Sequence, residues 1–324
     1  MSLFPKDFCI FIASHMSRSN RIQYLKDCLV SLIRQNVQIP IYLSISFENL
    51  EIHTECMQIL YATPDVSDCN FLNIQIRPEK TPQMQHFYLL QTEFGAAHSW
   101  IMFCDDDDAY TPDRTEHFMN AIIHGSNTAA TAGKHFAGAY ENAECKHHAE
   151  QRQEYWSYCV NTHILKRFFD VVAPHVRVLQ DKCCDVLLGE YLRRLSQDWI
   201  YAIITKSCYL YRIESNAESI TGFIRSKQGY YHPQRSSPPI FGSPDWTAYV
   251  SEWNDFLHTN LNAYLHDTYL RTLIGSSFDH ILKSEFLSNY PLLEFVDQIH
   301  VQKLEEWHKH VRSVCDILYD VPLV

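Results

Sequence analysis

The chain has 324 residues, 46% of them hydrophobic and 20% charged, which fits a globular protein of one large or two ordinary domains. Its net charge of −11 argues against a general nucleic-acid-binding surface, leaving only a local basic cleft open. The 9 glycines never form G-x-G-x-x-G or G-x-S-x-G, and the Walker-spaced pair Gly133 and Gly138 is followed by Ala139-Tyr140, so side chains or a metal must hold any phosphorylated ligand.

Taken in chain order, residues 8–13 (FCIFIA) form a short continuous apolar run, the pattern of a strand buried on both faces. Ile22, Leu25, Leu29, Leu32 and Ile33 then recur at helical spacing across residues 21–35, with Ser19 or Asn20 as the N-cap. Residues 39–47 and 71–76 alternate like strands, residues 82–94 read as a helix, and residues 100–104 (WIMFC) are again an apolar strand. This order predicts an α/β fold with a mostly parallel sheet flanked by helices. Further on come a strand-like WSYCV, an amphipathic stretch over 164–172, a helix through DKCCDVLLGEYLRRL, and a strand over 202–211. Residues 221–244 shift to Gly, Ser, Pro and basic residues and read as a loop or hinge. From Trp246 onward the pattern is helical, with Trp246, Trp253 and Trp307 as core or partner interface. The expected division is a catalytic domain over 1–235 and a helical C-terminal extension over 236–324.

The 11 cysteines include no C-x-x-C pair, and no H-E-x-x-H is present, so no standard zinc site is expected. Cys145, His147 and His148 read as a polar loop before they read as a metal cluster. No apolar stretch approaches the roughly 20 residues of a membrane span, and no N-x-Ser/Thr sequon occurs. A cytoplasmic protein with reduced thiols is the expectation.

Asp105-Asp106-Asp107-Asp108 follows the strand WIMFC directly. Four successive carboxylates repel one another, and a cation at the carboxyl end of a parallel strand would relieve them. The competing reading is a solvated turn with capping acids, which suits Asp113 and Glu116 better than the tetrad. An EF-hand loop beginning at Asp105 fails at Tyr110, where glycine is required, and at Pro112. A haloacid-dehalogenase-type phosphatase would place its D-x-D on the first strand, whereas this one follows about three others.

The segment Phe103-Cys104-Asp105-Asp106-Asp107-Asp108-Ala109-Tyr110-Thr111-Pro112 resembles the D-x-D region of GT-A glycosyltransferases of the family 2 type. The start of the chain is similar as well: residues 11–18 (FIASHMSR) precede a helix of the form L-x-x-C-L-x-S-L-x-x-Q, here Leu25 to Gln35. The likeness covers about residues 7 to 225. It implies a GT-A (Rossmann-like) fold and a metal-dependent, inverting transfer of a sugar from a nucleotide-sugar donor, a UDP- or GDP-sugar, to an acceptor hydroxyl.

By that resemblance Asp107 binds Mn²⁺ or Mg²⁺ directly, Asp105 reaches the metal shell or the ribose, and Asp106 and Asp108 support or contact the sugar. Ala13, Ser14, His15 and Arg18 receive the nucleotide, Glu48 accepts from its base or ribose, and Lys80 and Gln85 are further donor contacts. The general base is Asp185, with Asp181 four residues earlier as the alternate on the same helical face. A Y-R-x-H…S-I-T element corresponds to residues 211–214 and 219–221, with Glu214 where histidine is usual. Arg212, Arg225, Lys227 and Arg235 suggest a basic lid, or equally a solvated loop. A homodimer through the C-terminal helices is a further expectation. Two rival functions stand beside the transferase: a sugar-phosphate or nucleotide-sugar phosphohydrolase, and a silent carbohydrate- or nucleotide-binding protein.

Overall fold

The computed structural model describes residues 4–142, 152–212, 239–286 and 294–321. The chain divides into two compact units, Met1–Ser215 and Asn216–Val324. Both this division and the expected boundary at 235/236 fall outside the described residues.

The N-terminal unit is built on a seven-stranded sheet in the order β3-β2-β1-β4-β7-β6-β8. These strands are β1 (Phe8–Met16), β2 (Ile41–Phe47), β3 (Leu72–Ile76), β4 (Trp100–Asp105), β6 (His135–Glu141), β7 (Tyr158–Asn161) and β8 (Trp199–Ile204). A separate short ladder pairs β5 (Ala109–Tyr110) with β9 (Tyr209–Leu210). Only β7 runs antiparallel to its sheet neighbours β4 and β6; all other sheet pairings are parallel. The fold is therefore α/β, with a mostly parallel sheet flanked by helices and a helical C-terminal region, as the order of segments predicts.

The continuous apolar runs become the centre of the sheet because both faces are covered by helices. Phe8, Ile10, Phe11, Ile12 and the whole of residues 101–104 have no appreciable exposure. Helix α1 (Asn20–Ile33) buries the predicted stripe of Ile22, Leu25, Leu29, Leu32 and Ile33. The Ser19 hydroxyl does not cap it, however; Ser19 has helical dihedrals and donates instead to Glu55. Among the longer elements, α2 (Leu50–Tyr61), α5 (Arg114–Thr131) and strand β6 escape the chain-order reading. Gly138 explains why β6 is hard to see: it sits at φ +145 at a bulge, where a Cβ would lie 2.0 Å from the Cys159 carbonyl oxygen. The single strand expected over 202–211 is two, β8 and β9, parted at residues 205–208. WSYCV likewise divides into a 3₁₀ turn at Tyr155–Ser157 and the strand β7.

The remaining helices of this unit are α3 (Pro64–Ser67), α4 (Gln83–Phe94), α6 (Thr162–Val172), α7 (Val176–Leu179) and α8 (Cys184–Arg193). Helix α8 starts three residues later than Asp181, so Asp181 and Asp185 do not share a helical face. The Asp181 carboxylate instead accepts from the Cys183 amide in the preceding turn.

The C-terminal unit contains α9 (Pro244–Leu273), α10 (Phe278–Phe286) and α11 (Gln298–Leu318). Trp246, Trp253 and Trp307 are all buried as core residues of this unit. Among the described residues no helix is long and apolar enough to cross a membrane. The ten cysteines among them are all free thiols; Cys145 lies outside the description.

Candidate active site

Strand β1 carries β2 on one side and β4 on the other, so strand order reverses between β1 and β4. Ligand crevices of open α/β sheets lie at such a reversal, beyond the carboxyl ends of the strands. The register pairs Ala13 with Asp105 there, which places Ser14 and His15 beside the acidic run.

The four aspartates diverge, and three are held by protein groups. Asp105 Oδ1 accepts from Gln83 Nε2 at 2.8 Å and from the Tyr155 hydroxyl. Asp106 Oδ2 accepts from Ser14 Oγ at 2.6 Å, and its Oδ1 from Arg21 at 2.8 Å. Asp108 Oδ2 accepts from the Tyr209 hydroxyl at 2.8 Å and Oδ1 from the Arg212 amide at 2.7 Å. Tyr209 also receives the Asp105 amide at 3.0 Å, so one phenol ties both ends of the run. Asp107 differs: among the described residues its only partner is Arg21, at 3.8 Å. Burial pushes Asp105 well above the usual carboxylate range, reinforced by Asp108, Asp107 and Asp106. Burial likewise raises Asp106 against the opposing charge of Arg21, and lifts Asp108 to about 6. Arg21 thus supplies one positive charge to a loop of four carboxylates.

A hydrogen-bond chain links Arg77, Ser44, His86, Ser46 and His15 beside the end of β1. Arg77 Nε can only donate, and it does so to Ser44 Oγ at 2.7 Å. Ser44 Oγ also lies 2.8 Å from His86 Nδ1, and His86 Nε2 lies 3.2 Å from Ser46 Oγ. Ser46 in turn faces His15 Nδ1 at 3.0 Å, and His15 Nε2 meets Glu48 at 2.9 Å. Burial, with Arg77 and His15 nearby, lowers His86 to about 3 and keeps it neutral. Lys80 also reaches Glu48, at 3.2 Å, and the His15 bond followed by Lys80 holds Glu48 below its ordinary value.

Asp185 lies in the first turn of α8, and its Oδ1 is buried with no hydrogen-bond partner. Burial, followed by the charge of Glu154, raises it to about 6. The phenol of Tyr155, which donates to Asp105, also lies within the field of Asp185. One tyrosine therefore connects the acidic run with the neighbourhood of the expected base.

The expected residues thus gather in part. Ser14, Asp105, Asp106 and Asp107 meet at the β1/β4 crevice, and His15, Glu48 and Lys80 form a second group linked to it through β1. Arg18 is exposed just beyond the end of β1, and Gln85 accepts from Gln180 at 3.1 Å. The Arg212 guanidinium lies 4.7 Å from the Tyr24 ring and 3.6 Å from Asp27. Glu214, Arg225, Lys227 and Arg235, and the segment 219–221, lie outside the described residues, as do His147 and His148. Tyr110, which breaks the EF-hand pattern, is buried in β5 and donates to the Phe103 carbonyl at 2.6 Å. Arg21, Gln83, Tyr155 and Tyr209 were not expected from sequence; Arg21, at the start of α1, is the one that a search for a cation opposite the acids could have found. Asp113, His117 and Cys208 form a separate cluster of ligand-type atoms, where the Lys206 ammonium already bonds Asp113 and lies 3.3 Å from His117.

No family model matches the chain, and no curated protein matches its sequence. Among solved structures it is similar to the crystal structure of S. aureus TarS 1–349, at 10% identity and a TM-score of 0.44, over 96% of this chain and 90% of that one. The same fragment in complex with UDP gives 9% identity and a TM-score of 0.43 over the same shares. A longer S. aureus TarS structure, at 9% identity and a TM-score of 0.43, is covered over 55% of its length by 96% of this chain.

Proposed function

We propose that the protein is a metal-dependent, inverting glycosyltransferase that moves a sugar from a UDP- or GDP-sugar to an acceptor hydroxyl. The observation that carries this reading is the state of Asp107. At the strand-order reversal, three neighbouring aspartates are held by protein donors, while among the described residues Asp107 has only a 3.8 Å ion pair with Arg21.

The donor set fits Mn²⁺ or Mg²⁺: Asp107 and Asp105 Oδ2 offer hard carboxylate oxygens in a loop whose charge Arg21 offsets only in part. Bound there, such an ion supplies Lewis-acid stabilisation of the charge that develops on the leaving diphosphate. Ser14 and Arg21 hold Asp106 and so fix the loop before the donor arrives. His15 holds Glu48, whose carboxylate accepts from the base or ribose, with Lys80 and Arg18 at the rim. Ala13, on the β1 backbone opposite Asp105, leaves room for the donor to approach the strand end.

Asp185 takes the proton of the acceptor hydroxyl. A pKa of about 6 leaves it ionised at neutral pH yet more basic than an ordinary aspartate. As the proton moves to Asp185, the acceptor oxygen bonds the anomeric carbon, the bond to the diphosphate oxygen breaks, and the nucleoside diphosphate leaves with the electron pair. A single displacement of this kind inverts the anomeric centre. Asp181, held by its own turn, is the lesser candidate. We place the enzyme in the cytoplasm on the strength of its free thiols.

The test is to incubate the protein with Mn²⁺ and a panel of UDP- and GDP-sugars, with and without simple acceptors. Donor hydrolysis or transfer that is lost in Asp107→Ala and Asp185→Ala supports the reading. Metal-dependent nucleotide binding without turnover identifies a silent binding protein instead, and phosphate release from monoesters identifies a phosphohydrolase.

A further inference from the structure

The N-terminal unit has a second concavity, a cleft of about 360 Å³ between the Tyr155–Ser157 turn and β9. Its aromatic side is a ladder of near-parallel rings. Trp156 stacks on Tyr209 with centroids 4.0 Å apart and lies 6.2 Å from Tyr211, at interplanar angles of 12° and 19°. The ladder starts at buried Tyr209, whose hydroxyl holds the acidic run, and ends at Tyr211, which is 49% exposed.

Its polar side adjoins the expected base. Arg152 and Glu154 line the cleft and pair at 3.2 Å. A Cβ on Gly189 would lie 3.1 Å from Arg152 Cδ, so the arginine stem lies against α8 one turn beyond Asp185. Glu154 in turn contributes to the raised pKa of Asp185.

The charges in this cleft are already matched. Arg152 is matched by Glu154. Glu141 accepts from Arg114 and from the amides of Cys208 and Tyr209. Among the described residues the lining therefore presents aromatic faces and the Ser207 hydroxyl without a surplus of either sign. A sugar ring has that complement: an apolar C–H face, and a rim of hydroxyls that both donate and accept. Among the described residues lining the cleft, a phosphate- or carboxylate-bearing ligand would find no unpaired cation.

We propose that this cleft binds the acceptor, and that the acceptor is an uncharged glycan or glycoside whose ring lies against Tyr211 and whose reacting hydroxyl faces Asp185. The assignment of the ligand as acceptor rests on the transferase reading; the preference for a neutral sugar does not.

The two can be tested separately. Saturation-transfer NMR on the full chain, without donor or metal, would use neutral gluco-, xylo- and N-acetylglucosamine oligosaccharides of two to four units. Uronate oligosaccharides and glycerol phosphate would be the charged counterparts. We expect saturation of a neutral sugar, with affinity weakened about tenfold by Tyr211→Ala and kept by Tyr211→Phe, as for loss of one aromatic face. Absence of any neutral binder, preference for a charged one, or unchanged affinity in Tyr211→Ala overturns the proposal. Neutral-sugar binding with no donor turnover leaves the cleft standing and removes the transferase. Transfer whose acceptor KM is the same in Tyr211→Ala removes the cleft and leaves the transferase.

Discussion

Ser14 Oγ donates to Asp106 Oδ2 at 2.6 Å across 92 residues of sequence, joining the end of β1 to the acidic run. Arg21 holds the other oxygen of the same carboxylate, at 2.8 Å, and both ends of that ion pair are mostly shielded from solvent. Removing one partner strands a buried charge, which costs more than the pair itself contributes. Arg21→Met is therefore expected to lower stability by about 2–4 kcal/mol and Ser14→Ala by about 1–2 kcal/mol. Asp106→Asn added to Arg21→Met should restore part of the loss. Urea unfolding of the parent, Arg21→Met, Asp106→Asn and the double variant checks this, and an additive cycle would refute the coupling.

The sign of the Asp185 shift makes activity and stability pull in opposite directions. Its folded-state pKa of about 6 lies above that of an unfolded aspartate, so folding favours the protonated form. That preference stabilises the fold fully below the unfolded value and is lost as pH rises through about 6. Asp185→Asn should thus be more stable than the parent at pH 7–8 by about 1–3 kcal/mol, with the difference shrinking toward pH 4. Transfer should rise with pH through about 6 in the parent and fall by about 10²–10⁴ in the variant. A variant that is less stable than the parent at pH 8 would contradict the desolvated-base account.

His86 gives the reverse pH dependence. Its folded pKa of about 3 lies below the ordinary histidine value, so stability is present above about 6.5 and is lost as pH falls toward 3. The expected slope is about 1.4 kcal/mol per pH unit in that window, and His86→Gln should flatten it. Imidazole ¹⁵N spectra provide a second check. His86 should show a neutral ring at pH 7, and a ring protonated on both nitrogens there would break the argument.

The sheet centre is legible because strands buried on both faces are written as uninterrupted apolar runs, as in residues 8–13 and 100–104. Strand β6 is not legible, since HFAGAYE is short of branched residues and contains the bulge at Gly138. The site divides in the same way. The aspartates announce themselves by adjacency, and Ser14 by its place at the end of β1. Tyr155 and Tyr209 act on Asp105 from 50 and 104 residues away, and nothing local in sequence marks which tyrosine among 19 will do so.

Arg114 and Glu141 decide whether Tyr209 can do this work. Arg114 is wholly buried, bonds Glu141 and the Trp156 carbonyl, and lies 4.8 Å from the Tyr209 ring. Glu141 Oε2 accepts the amides of Cys208 and Tyr209 at 2.9 and 3.1 Å, which sets β9 and so the phenol that ties Asp105 to Asp108. Glu141→Gln leaves the guanidinium uncompensated and should cost about 3–5 kcal/mol, as should Arg114→Met. The double variant should cost much less than the sum, because no buried charge remains unpaired. Tyr209→Phe removes only the hydroxyl and should cost about 1–2 kcal/mol. If the Asp105–Asp108 loop depends on that phenol, Tyr209→Phe should also raise the Mn²⁺ concentration needed for half-maximal nucleotide binding by about tenfold, a shift of ~1.4 kcal/mol. A calorimetric titration that finds the parent value would detach β9 from the metal loop.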